Sequence, residues 1–164
     1  MDPATTDTIA TAEWVGRTQR ATDVLYPTPA RGLALTLDQP GADLGDGDRL
    51  PELWHWLYFL PMASTSTLGR DGHAARGGFL PPVTPERRMW AGGRLWFRRD
   101  LRIGDAVARR SEIISVERKD GRAGPMVLVT VRHTVTGPAG VALEEDHDIV
   151  YVNPPTSYVA PASD

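Results

Sequence analysis

Asp71 and His73 are the residues whose types and spacing best suit proton transfer. In Leu68-Gly69-Arg70-Asp71-Gly72-His73 a carboxylate and an imidazole lie two positions apart and could work as an acid–base pair. The same spacing better suits a turn stabilised by the Asp71 side chain. Of the remaining histidines, His133 and His147 fall in strand-like stretches as face residues, and His55 lies among aromatics as a hydrogen-bonded core residue. Asp146-His147-Asp148 has the composition of a metal triad, but neighbouring strand residues point to opposite faces. Asp43 to Asp48 suggests a calcium loop until its twelfth position, Trp54, replaces the required glutamate. No metal site is expected. Nucleophilic chemistry finds no Gly-x-Ser-x-Gly elbow and no cysteine, and the phosphate-cradling glycine motifs are missing. Gly92-Gly93 sits between apolar strand residues and marks a bulge or a close backbone approach, to a ligand or to a neighbouring element.

Composition bounds what these residues can belong to. At 164 residues the chain is one domain of ordinary size, and 41% hydrophobic against 24% charged residues suits a globular protein. No apolar run approaches the roughly 20 residues of a membrane span, and the first residues carry neither the basic nor the apolar region of a signal peptide. Without cysteine a cytoplasmic protein is the plain reading. A net charge of -3 argues against a nucleic-acid partner. Arginine is concentrated between Arg70 and Arg110, where it could meet phosphates, which its planar fork holds well.

These groups must be positioned by a sheet. Met89 to Phe97, Asp105 to Glu117, Val127 to Val135 and Leu143 to Val152 read as four strands. Asp120-Gly121 and Gly137-Pro138-Ala139-Gly140 supply turns, so the four suggest an antiparallel meander whose cover comes from upstream. Thr11 to Leu25 has helical character, and a short helix follows over Pro29 to Leu37, with Thr28 as N-cap and Pro29 at the first position. Leu50 to Pro61 reads as an extended segment apolar on both sides, and Met62 to Pro85 as a long loop. Residues 1–10 read as a disordered start, 11–152 as one domain and 153–164 as a tail or linker.

The words Leu50-Pro51-x-Leu53-Trp54-His55-Trp56-Leu57-Tyr58-Phe59-Leu60, Leu68-Gly69-x-Asp71-Gly72-His73 and Gly77-Gly78-Phe79-Leu80-Pro81-Pro82-Val83 form a distinctive series. Arg87-Arg88-Met89-Trp90-Ala91-Gly92-Gly93 and Asp148-Ile149-Val150-Tyr151 continue it. The series resembles the N-terminal half of MaoC-like, type 2 hydroxyacyl-thioester dehydratases, a group that includes mesaconyl-C4-CoA and itaconyl-CoA hydratases. The resemblance implies an α+β hot-dog fold, an antiparallel sheet wrapped around a central helix. In that family the chemistry resides in a second hot-dog domain, on an Asp-x-Asn-x-x-His or Asn-Gly-His-x-x-His word that this sequence lacks. No catalytic residue is therefore carried over. What the resemblance implies is a non-catalytic hot-dog half that forms an acyl-binding wall beside a catalytic MaoC-like partner, for hydration of a 2-enoyl-CoA. The wall would come from Trp54, Trp56, Phe79, Met89 and Trp90, with Gly92 and Gly93 close to the ligand. Arg70, Arg76, Arg87 and Arg88 are the candidates for coenzyme A phosphates. The carrier, coenzyme A or an acyl carrier protein, is the only cofactor-like group expected. Two other readings stay open: a self-sufficient homodimeric dehydratase or thioesterase using Asp71, His73 or Asp23, and an acyl-thioester-binding module without catalysis.

Overall fold

The computed structural model describes residues 11–39, 43–69, 71–85, 87–121 and 124–153. The expected disordered start, the tail beyond Asn153 and Arg70 lie outside them. Five antiparallel strands form one sheet: β1 (Thr18–Val24), β2 (Arg87–Phe97), β3 (Ala106–Gly121), β4 (Gly124–Gly137) and β5 (Gly140–Val152). Their spatial order is β1-β3-β4-β5-β2. Only β3, β4 and β5 make a meander. β2 does not continue it as the sequence suggests but pairs with β5 at the far edge, and residues 98–105 carry the chain back to β3. That crossover is anchored by its buried Leu101 and Ile103 and by Ala142, whose carbonyl receives the amides of Arg98 and Arg99 at 2.7 and 3.0 Å.

The pleat explains the residue choice. Successive side chains alternate between faces, and in β4 Val127, Val129, Val131 and Val135 are buried while Thr130, Arg132 and Thr134 between them are only partly covered. The outer set forms ion pairs across strands: Arg132 holds Asp146 at 2.7 Å and Arg94 holds Asp148 at 2.9 Å. Asp146 and Asp148 therefore lie on the outer face and His147 on the inner one, which separates the three by geometry. Bulges keep the apolar residues in phase. A register shift between Ile113 and Ser115 brings Val116 opposite Val129, so that residues three apart share the inner face. A second shift, between Trp90 and Gly92, places Gly93 where an added Cβ would meet the Asp146 carbonyl at 3.0 Å. Gly93→Ala should therefore cost about 1–2 kcal/mol by forcing the edge strand outward. Urea denaturation checks this, and an unchanged midpoint would show that the strand gives way freely.

One helix, α1 (Pro27–Thr36), covers part of the inner face through its buried Ala30 and Ala34, small residues that allow close approach to the sheet. It begins two residues earlier than the sequence suggests, with Tyr26 rather than Thr28 at the N-cap and Pro27 at the first position. Tyr26 is held extended, as a residue before proline prefers. Helix cover thus reaches Leu25, Val107, Val135 and Leu143. The rest of the face, around Ile113, Val129, Val131, Ile149 and Tyr151, is covered by Trp14, Phe79, Leu80 and Val83 instead.

Two local expectations fail for identifiable reasons. Thr11 to Leu25 is a 3-10 turn (Thr11–Trp14) followed by strand β1, because Gly16 at φ +85° turns the chain and its amide docks on the Ile113 carbonyl at 2.8 Å. The apparent helical stripe was poor in large apolar residues, whereas Thr18, Thr22 and Val24 are β-branched and suit an edge strand. Leu50 to Pro61 is not extended: Trp54–Leu57 is a 3-10 turn, bracketed by Leu53 at φ 72° and Phe59 at φ 57°. Two non-glycine residues in the left-handed region store strain that the surroundings must hold in place. Asp23 does so at one end, accepting the Phe59 amide at 2.7 Å. Tyr58 adds a hydrogen bond from its hydroxyl to the Tyr26 carbonyl at 2.6 Å.

Candidate functional site

Between the two apolar clusters a row of polar side chains crosses the inner face. The register aligns Gln19 of β1 with Ser111 of β3, Ser111 with His133 of β4, and His133 with Glu145 of β5. Arg109 stands two residues before Ser111 and His147 two after Glu145, on the same face. Ser111 Oγ lies 2.7 Å from His133 Nδ1. The rings of His133 and His147 are 6.1 Å apart.

The strained 3-10 turn closes one end of this row. His55 Nε2 donates to Glu145 at 3.2 Å, and the Trp56 indole donates to both Glu145 oxygens at 3.1 Å. Burial opposes ionisation of Glu145, but these two donors and the nearby His133 outweigh it and hold its pKa below the usual carboxylate range. Burial, reinforced by the Arg109 charge, pushes His133 down to about 4, and burial lowers His147 as well. Both imidazoles are thus neutral at pH 7. Burial also lowers Arg109, whose guanidinium donates to the Phe59 carbonyl at 3.3 Å and lies over the Phe59 ring.

At the other end the row opens into a cleft of about 410 Å³. Arg109, His133 and His147 reach it from the sheet, with Val131 and Ile149 as apolar floor. Arg88, Met89 and Trp90 of β2 form one side, and His73, Phe79 and Leu80 of the long loop form another. Of the residues singled out in the sequence, the structure therefore brings together His73, Phe79, Arg88, Met89 and Trp90. Asp71 stands just behind: it accepts the His73 amide at 3.2 Å and pairs with Arg88 at 3.4 Å. Its weak burial raises its pKa, but that amide and the Arg88 charge prevail and lower it.

Others fall elsewhere. Trp54 packs into the cluster under α1, and Trp56 serves Glu145. Arg76 is bound to the carbonyls of Val83 and Pro85 at 2.8 and 2.6 Å, beside the Tyr151 ring. Arg87 is exposed on the edge strand, and Gly92 and Gly93 form the bulge against β5. Asp23 is spent on the Phe59 amide. Arg109, Ser111 and Glu145 were missed in the sequence, and His133 and His147 were read as plain face residues. A signal existed: they occupy period-2 positions within runs whose ends are buried and apolar, Val107 and Ile113, Val131 and Val135, Leu143 and Ile149, where a polar side chain needs a reason.

An antiparallel sheet curled round one short helix, with a half-apolar cleft on its inner face, defines this molecule as a hot-dog protein. The chain belongs to the hydroxyacyl-thioester dehydratase type 2 family, which it matches over residues 53–164. It is 44% identical over 149 residues to mesaconyl-C(4)-CoA hydratase of Chloroflexus aurantiacus, an alignment covering 90% of this chain and 53% of that protein. The chain thus spans about half the length of this relative. Among solved structures, the ChsH1-ChsH2 complex from Mycobacterium tuberculosis superposes with a TM-score of 0.65 at 14% identity, covering 90% of this chain and 96% of that one. The HadBC (3R-hydroxyacyl-ACP dehydratase) complex of the same organism gives 0.53 at 17% identity, with 83% and 96% covered. At such identities these two show the shared fold.

Proposed function

We propose that this chain is the non-catalytic hot-dog half of an acyl-thioester hydratase, completed by a catalytic MaoC-like partner. The observation that carries the reading is the cleft: a half-apolar, partly open space lies on the inner face where α1 stops short, beside a fully formed sheet. A family member with such a space and without the family's Asp-x-Asn-x-x-His word suits acyl binding better than proton transfer. Asp71 and His73, the one pair spaced for acid–base work, are engaged as a turn and an Arg88 ion pair.

The reaction adds water across a 2-enoyl thioester, hydroxyl to C3 and proton to C2. It needs an N–H donor on the thioester carbonyl, a base for water and an acid for C2. In this reading the partner provides those groups, and this chain walls the acyl group with Phe79, Met89 and Trp90. β2 ends the sheet and exposes Met89, Trp90, Trp96 and Phe97, which offers the partner a strand edge with apolar flanks. No cofactor beyond the thioester carrier is required. Nothing in the described helices is long and apolar enough to cross a membrane, and the cytoplasm is the compartment this reading assigns.

The test is hydration of a short enoyl-CoA by the chain alone and by the chain mixed with a catalytic MaoC-like subunit. Turnover in the mixture, exceeding either component alone by roughly 100-fold or more, is the expected result. Equal turnover by the chain alone would overturn the reading and direct mutagenesis to Asp71 and His73. Saturable acyl-CoA binding with no turnover in any mixture would leave a binding module.

A further inference from the structure

None of the described residues from 60 to 80 is buried, yet His73, Phe79 and Leu80 among them line the cleft. From Met62 to Ala75 the described residues keep their hydrogen bonds within the segment, and the Asp71–Arg88 ion pair is its one tie to the sheet. The far side is held more firmly: Arg76 donates to the carbonyls of Val83 and Pro85, and Arg17 to that of Gly78 at 3.3 Å. Gly72 and Gly77, at φ +74° and +94°, stand on either side of His73, where a hinge needs conformations that other residues resist. What lies under Asp71 is unfinished. Three buried side-chain polar atoms lack a hydrogen bond among the described residues, and two of them are Arg88 Nη2 and the Tyr151 hydroxyl, on register partners of β2 and β5. Asp71 Oδ2 stops 3.4 Å from Arg88 Nη2, inside ion-pair range but short of a hydrogen bond, while its Oδ1 accepts the His73 amide. Burial raises the pKa of the Tyr151 phenol, and the charges of Arg88, Arg76 and Asp71 all bear on it, so the four groups share one neighbourhood. Buried donors left unpaired are costly. An inward shift of Asp71 by roughly half an ångström would give Arg88 a charge-assisted bond of ordinary length and carry a carboxylate toward the Tyr151 hydroxyl.

We propose that residues 71–80 form a strap over the cleft, latched when Asp71 engages Arg88 and Tyr151, and that an acyl group lying against His73, Phe79 and Leu80 holds it shut. The occupant favours the latched form because it gains those contacts only when the strap is down. Closure narrows the way out of the cleft, so the latch governs how long an acyl group stays rather than how fast it arrives. This rests on the acyl-thioester reading for the occupant and not for the motion.

Two experiments separate this inference from the reading it rests on. In the first, the unliganded full chain is followed by NMR relaxation dispersion. Amides of residues 71–80 should exchange between unlatched and latched forms on the microsecond-to-millisecond scale, and Asp71→Asn and Tyr151→Phe should each suppress that exchange. Tyr151→Phe discards a hydroxyl that the unlatched form leaves unpaired, so its Tm should stay within about 2 °C, which shows the fold intact. Amides as still as those of the strands, or an exchange that both variants leave untouched, would overturn the strap. In the second, butyryl-CoA, which has no double bond to hydrate, is bound to the chain together with a catalytic MaoC-like subunit. Hydrogen exchange over residues 71–80 should slow about tenfold, and either variant should speed butyryl-CoA dissociation about tenfold with little change in association. Bound butyryl-CoA that leaves the protection of these residues unchanged would also overturn the proposal. Should butyryl-CoA bind in no mixture, the proposed function falls, and the dispersion measurement still decides the strap.

Discussion

Glu145→Ala should destabilise the chain by about 3–5 kcal/mol, the largest loss expected from any single substitution here. The side chain is almost fully buried, and its two oxygens are the acceptors for His55 and for the Trp56 indole. Removing it strands both donors, and it takes away the nearest negative charge from Arg109 and His133. The 3-10 turn would lose what holds it to the sheet, while Leu53 and Phe59 would keep their backbone strain. In a thermal melt the change should appear as a fall of roughly 10 °C in Tm, with altered tryptophan emission from Trp56. Glu145→Gln keeps an acceptor and should cost about half as much. A shift below about 2 °C for the alanine variant would mean that the carboxylate is not the keystone of the turn.

Acid should weaken the fold well before carboxylates begin to protonate. His133 has a folded pKa of about 4, against about 6.5 for a free imidazole. Between those values the unfolded chain binds a proton that the folded chain refuses, so stability rises with pH. Full stability is present above pH 6.5, and roughly 3 kcal/mol is lost as pH falls to 4. His147 is shifted in the same direction and adds to the slope. Asp71, Glu145 and Asp146 are shifted in the same direction, below the usual carboxylate range, so their contribution is also lost on acidification but only at lower pH. Urea midpoints between pH 7 and about 5.5, above the range in which unfolded carboxylates titrate, measure the imidazole part. His133→Asn should flatten that slope substantially, and an unchanged slope would place the acid sensitivity elsewhere.

The strands were legible because their cues are local. Val127 to Val135 alternates visibly, and turn residues bracket each run, so β3, β4 and β5 were placed to within a few residues. Their arrangement was less so, because nothing in β2 itself says that its partner is β5 rather than β3. That choice is made by the bulge at Ala91 and the buried crossover through Leu101 and Ile103, which depend on contacts distant in sequence. Leu50 to Pro61 misled for a related reason. Apolar residues in both alternating sets suit a doubly covered strand, yet they equally suit a turn that sends His55, Tyr58 and Phe59 inward and leaves Trp56 at the surface. The cleft followed the same division. His73, Phe79, Arg88, Met89 and Trp90 were visible as words in a series, whereas Arg109, Ser111 and Glu145 matter only through register, which aligns three strands before any of them becomes a neighbour.

The edge strand carries a consequence for how this protein is made. Eleven residues from Arg87 to Phe97 present one unpaired backbone edge with two tryptophans and a phenylalanine nearby, and Arg87, Arg88 and Arg94 are its only charges. Such an edge accepts strands indiscriminately, so a copy that meets no suitable mate is a seed for self-association. Supply would then have to be matched in stoichiometry: chains produced in excess should accumulate as aggregates or be degraded, and co-production with the right mate should raise the recoverable yield of both.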